Sequence, residues 1–213
     1  MGRLKNGILG GISGKVGDVE GYIVNGIAYV RARKRKTKKA PTQKQLWTRM
    51  RMAAVNQFIN SMTAFVRVGY QNMAKNAAFS ANNAAKSYQL RHAVSGEYPD
   101  AGIDFSKVML STGTLDVALN PSVETLANGF KFSWDMAGGS DSYNERAQSM
   151  LLAYSPELHK SFFKIGGSCR YTGLDILEIP DNVKGKALEC YLSFAADDRE
   201  KIADSVYLGS VIY

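Results

Sequence analysis

Apolar residues in the first third of the chain form two short alternating runs with a turn between them. Residues 22–24 read Tyr-Ile-Val, residues 27–30 read Ile-Ala-Tyr-Val, and Asn25-Gly26 separates them. Asn-Gly supplies the two positive-φ positions of a type I′ turn, so this stretch predicts a β-hairpin. An isolated two-stranded ribbon is marginal in water, and we expect the hairpin to pack on the following helix, on the C-terminal half or on another subunit.

Residues 42–68 show a different period, with an apolar residue every three to four positions, which predicts a long amphipathic helix. Thr42 as N-cap and Gln45 three residues later form a capping box at its start. The apolar stripe is interpreted as core and consists of Trp47, Met50, Ala53, Ala54, Phe58, Ile59, Met62 and Phe65. A second, alanine-rich helix is predicted over residues 71–93, with a break near 80–83.

The C-terminal half has the period of β-strands, bounded by Gly, Pro and Asn. Phe130, Phe132 and Trp134 alternate with Lys131 and Ser133, as in a half-buried strand. The predicted strands are 106–111, 114–119, 129–135, 147–155, 160–165, 169–177, 186–195 and 205–212. Seven or eight short strands indicate an antiparallel β-sandwich, and their order resembles fibronectin type III or immunoglobulin-like domains.

The sequence therefore predicts an α+β protein with two domains. Residues 1–94 carry a basic arm, the hairpin and the helices, residues 95–104 form a turn-rich linker, and residues 105–213 form the β-sandwich. The glycine-rich start is interpreted as a flexible or pocket-lining arm. It is not a P-loop, because Leu9 stands where the first glycine is required and Val16 where a hydroxyl would hold magnesium.

Charge divides the chain into two halves of opposite sign. Residues 1–91 contain 17 Lys/Arg and 2 Asp/Glu, a net charge of +15, whereas residues 92–213 contain 10 and 17, a net charge of −7. Residues 31–39, Arg-Ala-Arg-Lys-Arg-Lys-Thr-Lys-Lys, concentrate the positive charge, and we call them the cationic segment. The division indicates that the basic half faces a polyanion or an acidic partner, or that the two halves attract each other within or between subunits.

We predict that the protein binds nucleic acid or another polyanion through this basic half. The predicted binding residues are Arg31, Arg33, Lys34, Arg35, Lys36, Lys38, Lys39, Lys44, Arg49 and Arg51. Aromatic residues interleave with them and could stack on bases, with burial as the competing interpretation, above all for Trp47. These aromatic residues are Tyr22, Tyr29, Trp47, Tyr70 and Tyr88.

An alternative prediction is a structural component of a virion or phage-like particle. In this interpretation the protein is a homo-oligomer, and its basic arm docks on the acidic β-sandwich of a neighbouring subunit. Both interpretations place the protein in the cytoplasm or in a particle assembled there, because we find neither a secretory signal nor an apolar stretch long enough to span a bilayer.

Catalytic and metal-binding patterns have little support in the sequence. His92 and His159 are far apart, and neither an H-x-x-x-H pattern nor clustered cysteines offer a zinc site. Cys169 with His159 as its base is the weak candidate for a nucleophile, but Cys169 and Cys190 both lie in strand-like segments typical of buried thiols. We therefore expect no enzymatic activity, no cofactor and no metal, and a reducing compartment.

The first fifty residues carry a family resemblance. Met-Gly-Arg-Leu-Lys-Asn-Gly-Ile-Leu-Gly-Gly-Ile-Ser-Gly-Lys-Val-Gly precedes a Gly-Tyr hairpin, a Lys/Arg-rich stretch and Pro-Thr-x-x-Gln-Leu ahead of a helix. This layout resembles an uncharacterised family of Bacteroidota proteins, domain-of-unknown-function family 6266. The resemblance implies a bacterial origin linked to phages or mobile elements, and it carries no known activity or functional residues.

Overall fold

The computed structural model describes residues 3–8, 10–24, 26–34, 39–75, 77–135 and 145–213. The chain divides into two compact units, Met1–Thr42 and Gln43–Tyr213. Its architecture is mixed, with strands at the N-terminus, helices after them and a C-terminal region rich in antiparallel sheet.

The first unit is an antiparallel meander whose four strands follow one another in chain order. The strands are β1 Arg3–Ile8, β2 Ile12–Val16, β3 Val19–Val24 and β4 Ile27–Ala32. The predicted hairpin is confirmed as β3 and β4, which pair Tyr22 with Tyr29. The turn residue Asn25 lies outside the described residues, and the following Gly26 has a φ of +82°.

The expectation of a flexible arm at the start of the chain is corrected, because β1 and β2 pair there with Leu4 opposite Ile12. Glycine serves close approach in this sheet. Gly14 pairs with Gly21, and a side chain at position 21 would overlap the carbonyl oxygen of Ile12. The side-chain pattern does not predict these strands, because glycines carry no side chain and so obscure the alternation that marks a strand.

The second unit begins with helices, which the structure describes as α1 Gln43–Ser61, α2 Thr63–Gly69, α3 Gln71–Ala74 and α4 Ala81–His92. The predicted helix over 42–68 is interrupted at Met62, which has φ −126° and ψ 31°. The interruption leaves the carbonyl of Ser61 accessible, and this oxygen accepts a hydrogen bond from the hydroxyl of Ser161 at 2.6 Å. A contact with the sheet therefore stabilises a bend that helical periodicity alone does not indicate.

The second predicted helix is also divided, into α3 and α4. Ser80 is the N-cap of α4, and its hydroxyl oxygen accepts a hydrogen bond from the backbone N–H of Asn83 at 3.3 Å. Serine is a preferred N-cap because its side chain satisfies one of the free N–H groups of the first turn. The break predicted near residues 80–83 thus lies at a capped helix start.

The described residues of the second unit also form the strands β5 Val94–Ser95, β6 Gly102–Ile103, β7 Leu119–Leu126, β8 Gly129–Asp135, β9 Gln148–Ser155, β10 Lys160–Cys169, β11 Leu174–Glu178, β12 Ala187–Ala195 and β13 Val206–Ile212. They form a four-stranded sheet, β10-β9-β12-β13, and a three-stranded sheet, β11-β8-β7. The two short strands β5 and β6 pair as a separate ribbon.

Two of the predicted strands are wrong, and a third, 169–177, is divided, because a 3-10 helix at Arg170–Thr172 separates the end of β10 from β11. In place of 114–119, strand β7 begins at Leu119 and continues through Pro121, with an irregular register before Ser122. A proline lacks the N–H that a strand ladder needs, so within a sheet it occurs at irregularities of this kind. Its presence therefore does not require that the strand end there. In place of 106–111, a 3-10 helix spans Phe105–Lys107, and the next residues bond to other segments, with the N–H of Leu110 donating to the Ser205 hydroxyl at 2.8 Å.

The four-stranded sheet is covered on both faces. On β9, Leu151 and Ala153 belong to a cluster shared with the three-stranded sheet, whereas Met150 and Leu152 belong to a cluster shared with the helices. Phe58, Phe65 and Val66 are among the helical members of the second cluster. The alternating faces of one central strand therefore hold together the helices and both sheets.

This arrangement differs from the domain division made from the sequence, which placed the boundary in residues 95–104. The helices share a hydrophobic core with the sheet, so they belong to the same unit as the strands, and the unit boundary follows Thr42 instead. Within the described part of the chain, every helix is too short or too polar to cross a bilayer.

Candidate nucleic-acid interface

The described members of the cationic segment are all exposed. Arg31 lies in β4, Arg33 and Lys34 follow it, and Lys39 precedes α1. The backbone N–H of Arg33 donates to the carbonyl of Asp18 at 2.7 Å, so the sheet positions one cation beyond the end of β4. The remaining predicted cations of the segment, Arg35, Lys36 and Lys38, lie outside the described residues.

Three predicted cations lie on α1, in the second unit. Lys44 and Arg49 are exposed, whereas Arg51 is half-buried. The Nη2 group of Arg51 donates to the carbonyl of Leu90 in the last turn of α4. A cation at this position stabilises the free carbonyls of a helix end, so Arg51 has a role in packing α1 against α4 that its place in the sequence did not indicate.

Strand register places aromatic and cationic side chains together on one side of the β3–β4 hairpin. The cross-strand pairs on this side are Glu20 with Arg31, Tyr22 with Tyr29 and Val24 with Ile27, and we call these six residues the hairpin face. The two tyrosine rings stack with their centroids 5.6 Å apart and 18° between their planes. The guanidinium carbon of Arg31 lies 5.2 Å from the centroid of Tyr22.

Glu20 is the acidic member of the hairpin face. Arg31 donates to its Oε2 atom through Nη2 at 2.9 Å and through Nε at 3.3 Å. The hydrogen bond from Arg31 lowers the pKa of the Glu20 carboxyl, so the carboxylate is charged at neutral pH. Because the Arg31 side chain remains 48% exposed, this ion pair is of the weak, solvent-screened kind.

Exposure separates the candidate aromatic residues into two groups. Three pack within the second unit: Tyr70 is buried, Trp47 packs edge to face on Tyr98, and the ring of Tyr88 lies 4.6 Å from that of His92. Tyr22 and Tyr29 are instead 37% and 43% exposed. The aromatic surface next to the cationic segment is therefore formed by the hairpin.

A charged cleft beside α3 was not selected from the sequence. Its volume is about 600 Å³, and its lining includes Arg67, Lys75, Asp198, Arg199 and Glu200. The side-chain amide of Asn72 donates to the carbonyl of Glu200 at 2.8 Å, which fixes the loop that carries these charges. Acids and cations are mixed in the cleft, with Lys75 and Glu200 3.9 Å apart. The sequence did not predict this cleft, because the charged turn at 197–200 has the same pattern as a solvated loop.

Asp175 and Cys190 are two titratable groups buried in the second unit. Asp175 accepts hydrogen bonds from Lys164 at 2.7 Å and from the backbone N–H groups of Ser168 and Ile176. Burial raises the pKa of Asp175, but its donors outweigh burial and hold that pKa below its usual value. Burial raises the pKa of the Cys190 thiol to about 12. In the described ranges, no group of three or more His, Cys, Asp or Glu side chains is arranged to hold a metal ion.

Comparison with known proteins gives a family and nothing more specific. The model of a family of unknown function (DUF6266) matches residues 11–209, a range that runs from just before β2 into β13 and includes the hairpin and the helices α1 to α4. Neither the curated proteins nor the solved structures contain a match to the chain.

Proposed function

The chain belongs to the DUF6266 family of unknown function, and we propose that it is a non-catalytic protein that binds nucleic acid or another polyanion through its basic N-terminal half. One observation carries this proposal: six of the seven predicted cations that the structure describes are exposed. They are Arg31, Arg33, Lys34, Lys39, Lys44 and Arg49.

The sequence around these cations favours an external anion. Residues 21–96 contain no Asp or Glu, so this stretch lacks the carboxylates that form i,i+4 pairs on ordinary surface helices, and the carboxylate that pairs with Arg31 is that of Glu20, just before the stretch. Lys and Arg side chains that contact a phosphate backbone release its condensed counterions, which gives affinity that depends on salt and little on sequence. The net charge of +15 in residues 1–91 exceeds what solubility requires.

The acidic half has local partners for several of its charges. Exposed ion pairs join Glu124 to Lys131 at 3.0 Å and Glu157 to Lys186 at 2.8 Å. Asp181 likewise contacts Lys184 at 2.6 Å. The net charge of −7 already includes these lysines and offsets less than half of the +15 of residues 1–91, which favours a polyanion over the acidic surface of a neighbouring subunit.

A binding titration tests the proposal. Labelled single-stranded and double-stranded DNA and RNA are titrated with the full chain at two salt concentrations, and fluorescence anisotropy reports complex formation. We expect micromolar or tighter binding at low salt that weakens at the higher salt concentration. Absence of binding to every nucleic acid at low salt would contradict nucleic-acid binding, and a parallel titration with heparin identifies a different polyanion.

A second candidate function is that of an assembly component, such as a virion or phage-like particle protein. It is favoured by apolar side chains on the opposite side of the hairpin from the hairpin face, where Val30 is 59% and Ile23 48% exposed. Exposed apolar surface of this kind marks protein contacts. Light scattering at high micromolar concentration tests it: a defined oligomer that Val30→Lys dissociates supports assembly, and a strict monomer contradicts it.

We also propose that the two sheets of the second unit form a β-sandwich of the fibronectin type III kind. The two sheets consist of the strands β7 to β13. The first, second and fifth of these, β7, β8 and β11, lie in one sheet, and β9, β10, β12 and β13 lie in the other. This distribution is that of fibronectin type III domains. The shared cluster, in which Trp134 packs edge to face on Phe194 with centroids 5.1 Å apart, supports the same interpretation. An experimental structure with β11 hydrogen-bonded to β10 instead of β8 would contradict it.

A further inference from the structure

We propose that the hairpin face is a stacking site for unpaired bases, so that the preferred ligand is single-stranded nucleic acid. The proposal rests on the proposed function, since it names the ligand of the same basic region. The charge of the cationic segment provides affinity for any phosphate backbone, whereas the hairpin face adds a contact that only an unstacked base can make.

The two tyrosines have the exposure that such a contact requires. Their rings stack on each other with centroids 5.6 Å apart, which uses one face of each ring, and Tyr22 and Tyr29 nevertheless remain 37% and 43% exposed. A base–aromatic stack accepts any base because every base has a π face, and each such stack contributes about 1–3 kcal/mol. Bases in a duplex are already stacked, so this contribution is absent for double-stranded ligands.

Cations continue the row of aromatic side chains along β4. Residues two apart on a strand point to the same face, which places Tyr29, Arg31 and Arg33 in sequence along one side. The hydrogen bond from the Arg33 N–H to the Asp18 carbonyl keeps the strand geometry to that point. A single strand whose base stacks on a tyrosine would therefore have its adjoining phosphates beside two guanidinium groups.

Glu20 keeps the site organised before a ligand arrives. Its carboxylate holds the guanidinium of Arg31 above Tyr22. A phosphate that binds Arg31 would take the place of this carboxylate. Arginine binds phosphates and carboxylates with the same planar array of N–H groups. Since the ion pair is exposed, a phosphate can displace the carboxylate at little cost.

The test compares single-stranded and double-stranded ligands in the full chain. The double variant Tyr22→Leu/Tyr29→Leu should bind oligo(dT) at least tenfold more weakly than the wild type, and a duplex of equal length with unchanged affinity. Tyr22→Phe/Tyr29→Phe keeps the aromatic rings and should retain wild-type affinity for oligo(dT). Tyr171→Leu removes an exposed tyrosine of the second unit and serves as the matched control.

A covalent readout keeps the proposal testable if the leucine variant does not fold. Irradiation of wild-type protein bound to bromouracil-containing single strands should crosslink the peptide that contains Tyr22 or Tyr29. Equal loss of single-stranded and duplex binding in a folded leucine variant, or crosslinks confined to other peptides, would overturn the stacking site while leaving polyanion binding intact. Failure of the wild type to bind any nucleic acid would overturn the proposed function itself.

Discussion

The guanidinium group of Arg31 lies 5.2 Å from the centroid of the Tyr22 ring, and Glu20 holds it there through two hydrogen bonds. This arrangement places a cation, an aromatic ring and one carboxylate at the end of the strand that leads into the cationic segment. The carboxylate has two opposing effects on an anionic ligand, because it orients the guanidinium and also competes with the ligand for it.

Replacing Glu20 with Gln should strengthen nucleic-acid binding. The change removes the negative charge that competes with phosphate, and we expect roughly a two- to tenfold lower Kd at low salt, with a smaller difference at high salt because exposed charges are screened. Anisotropy titrations with oligo(dT) measure the effect. Glu97→Gln, an equal charge change at an exposed position of the second unit, is the control, and weaker binding by Glu20→Gln would show that orientation of Arg31 outweighs competition.

Replacing Gly21 with Ala should destabilise the N-terminal sheet. The added methyl group would overlap the carbonyl oxygen of Ile12 and lie 2.9 Å from its Cβ atom, so β2 must move away from β3. Overpacking of this kind costs about 1–3 kcal/mol. Amide hydrogen exchange should report faster exchange in β2 and β3.

Ala32→Ser is the control for this substitution, because it changes an exposed position at the end of β4 in the same sheet. Its exchange rates should match those of the wild type. Unchanged protection of β2 and β3 in Gly21→Ala would contradict the close approach of these strands.

Replacing Asp175 with Asn should lower the stability of the second unit in a pH-dependent way. The pKa of Asp175 is lowered on folding, so its carboxylate stabilises the native state above the unfolded pKa of about 3.9, and this contribution is lost as pH falls through the lower folded value. We expect Asp175→Asn to cost about 1–3 kcal/mol at pH 7. Urea unfolding at pH 7 and at about pH 3 measures the difference.

The matched control is Asp181→Asn, whose carboxylate is 79% exposed and pairs with Lys184. An exposed pair contributes about 0–1 kcal/mol, so this substitution should have a small effect at either pH. A cost for Asp175→Asn that stays constant between pH 7 and pH 3 would contradict a lowered pKa for the carboxyl group.

The thiol of Cys190 should resist modification in the folded protein. Burial raises its pKa to about 12, and a thiolate is the species that reacts. In a Cys169→Ser variant, which leaves Cys190 as the single cysteine, a thiol reagent at pH 8 should react at the rate of unfolding, and rapidly once denaturant is added. Stoichiometric labelling of the native protein within seconds would contradict the buried environment.

Local sequence signals predicted local structure well and long-range contacts poorly. The Asn-Gly turn identified the hairpin because the turn type follows from two residues, and Phe130, Phe132 and Trp134 identified β8 because alternation is a local property. The shared core of helices and sheet was missed, because a stripe of apolar residues on a helix does not specify which surface covers it.

The candidate site illustrates the same limit. The sequence does not distinguish Tyr22 and Tyr29 from Trp47 as candidates for stacking on bases. The structure distinguishes them, because Trp47 packs on Tyr98 within the second unit, whereas the two tyrosines stack on each other at the surface of the hairpin. The role of Arg51 depends on the carbonyl of Leu90, which is 39 positions away in the chain. Such distant partners leave no mark in a charge pattern.

The salt dependence of binding tests the central claim most directly. The logarithm of the association constant for a single-stranded oligonucleotide is measured against the logarithm of salt concentration, for the wild type and for a triple variant with serine at Arg31, Arg33 and Lys34. Each phosphate contact on a single strand contributes about 0.7 to the magnitude of this slope. Loss of the three contacts should therefore reduce the magnitude of the slope by about 2. A control variant with serine at Lys131, Lys184 and Lys186, which already pair with acids, should keep the wild-type slope. An unchanged slope in the first variant would contradict the claim that Arg31, Arg33 and Lys34 bind the phosphate backbone.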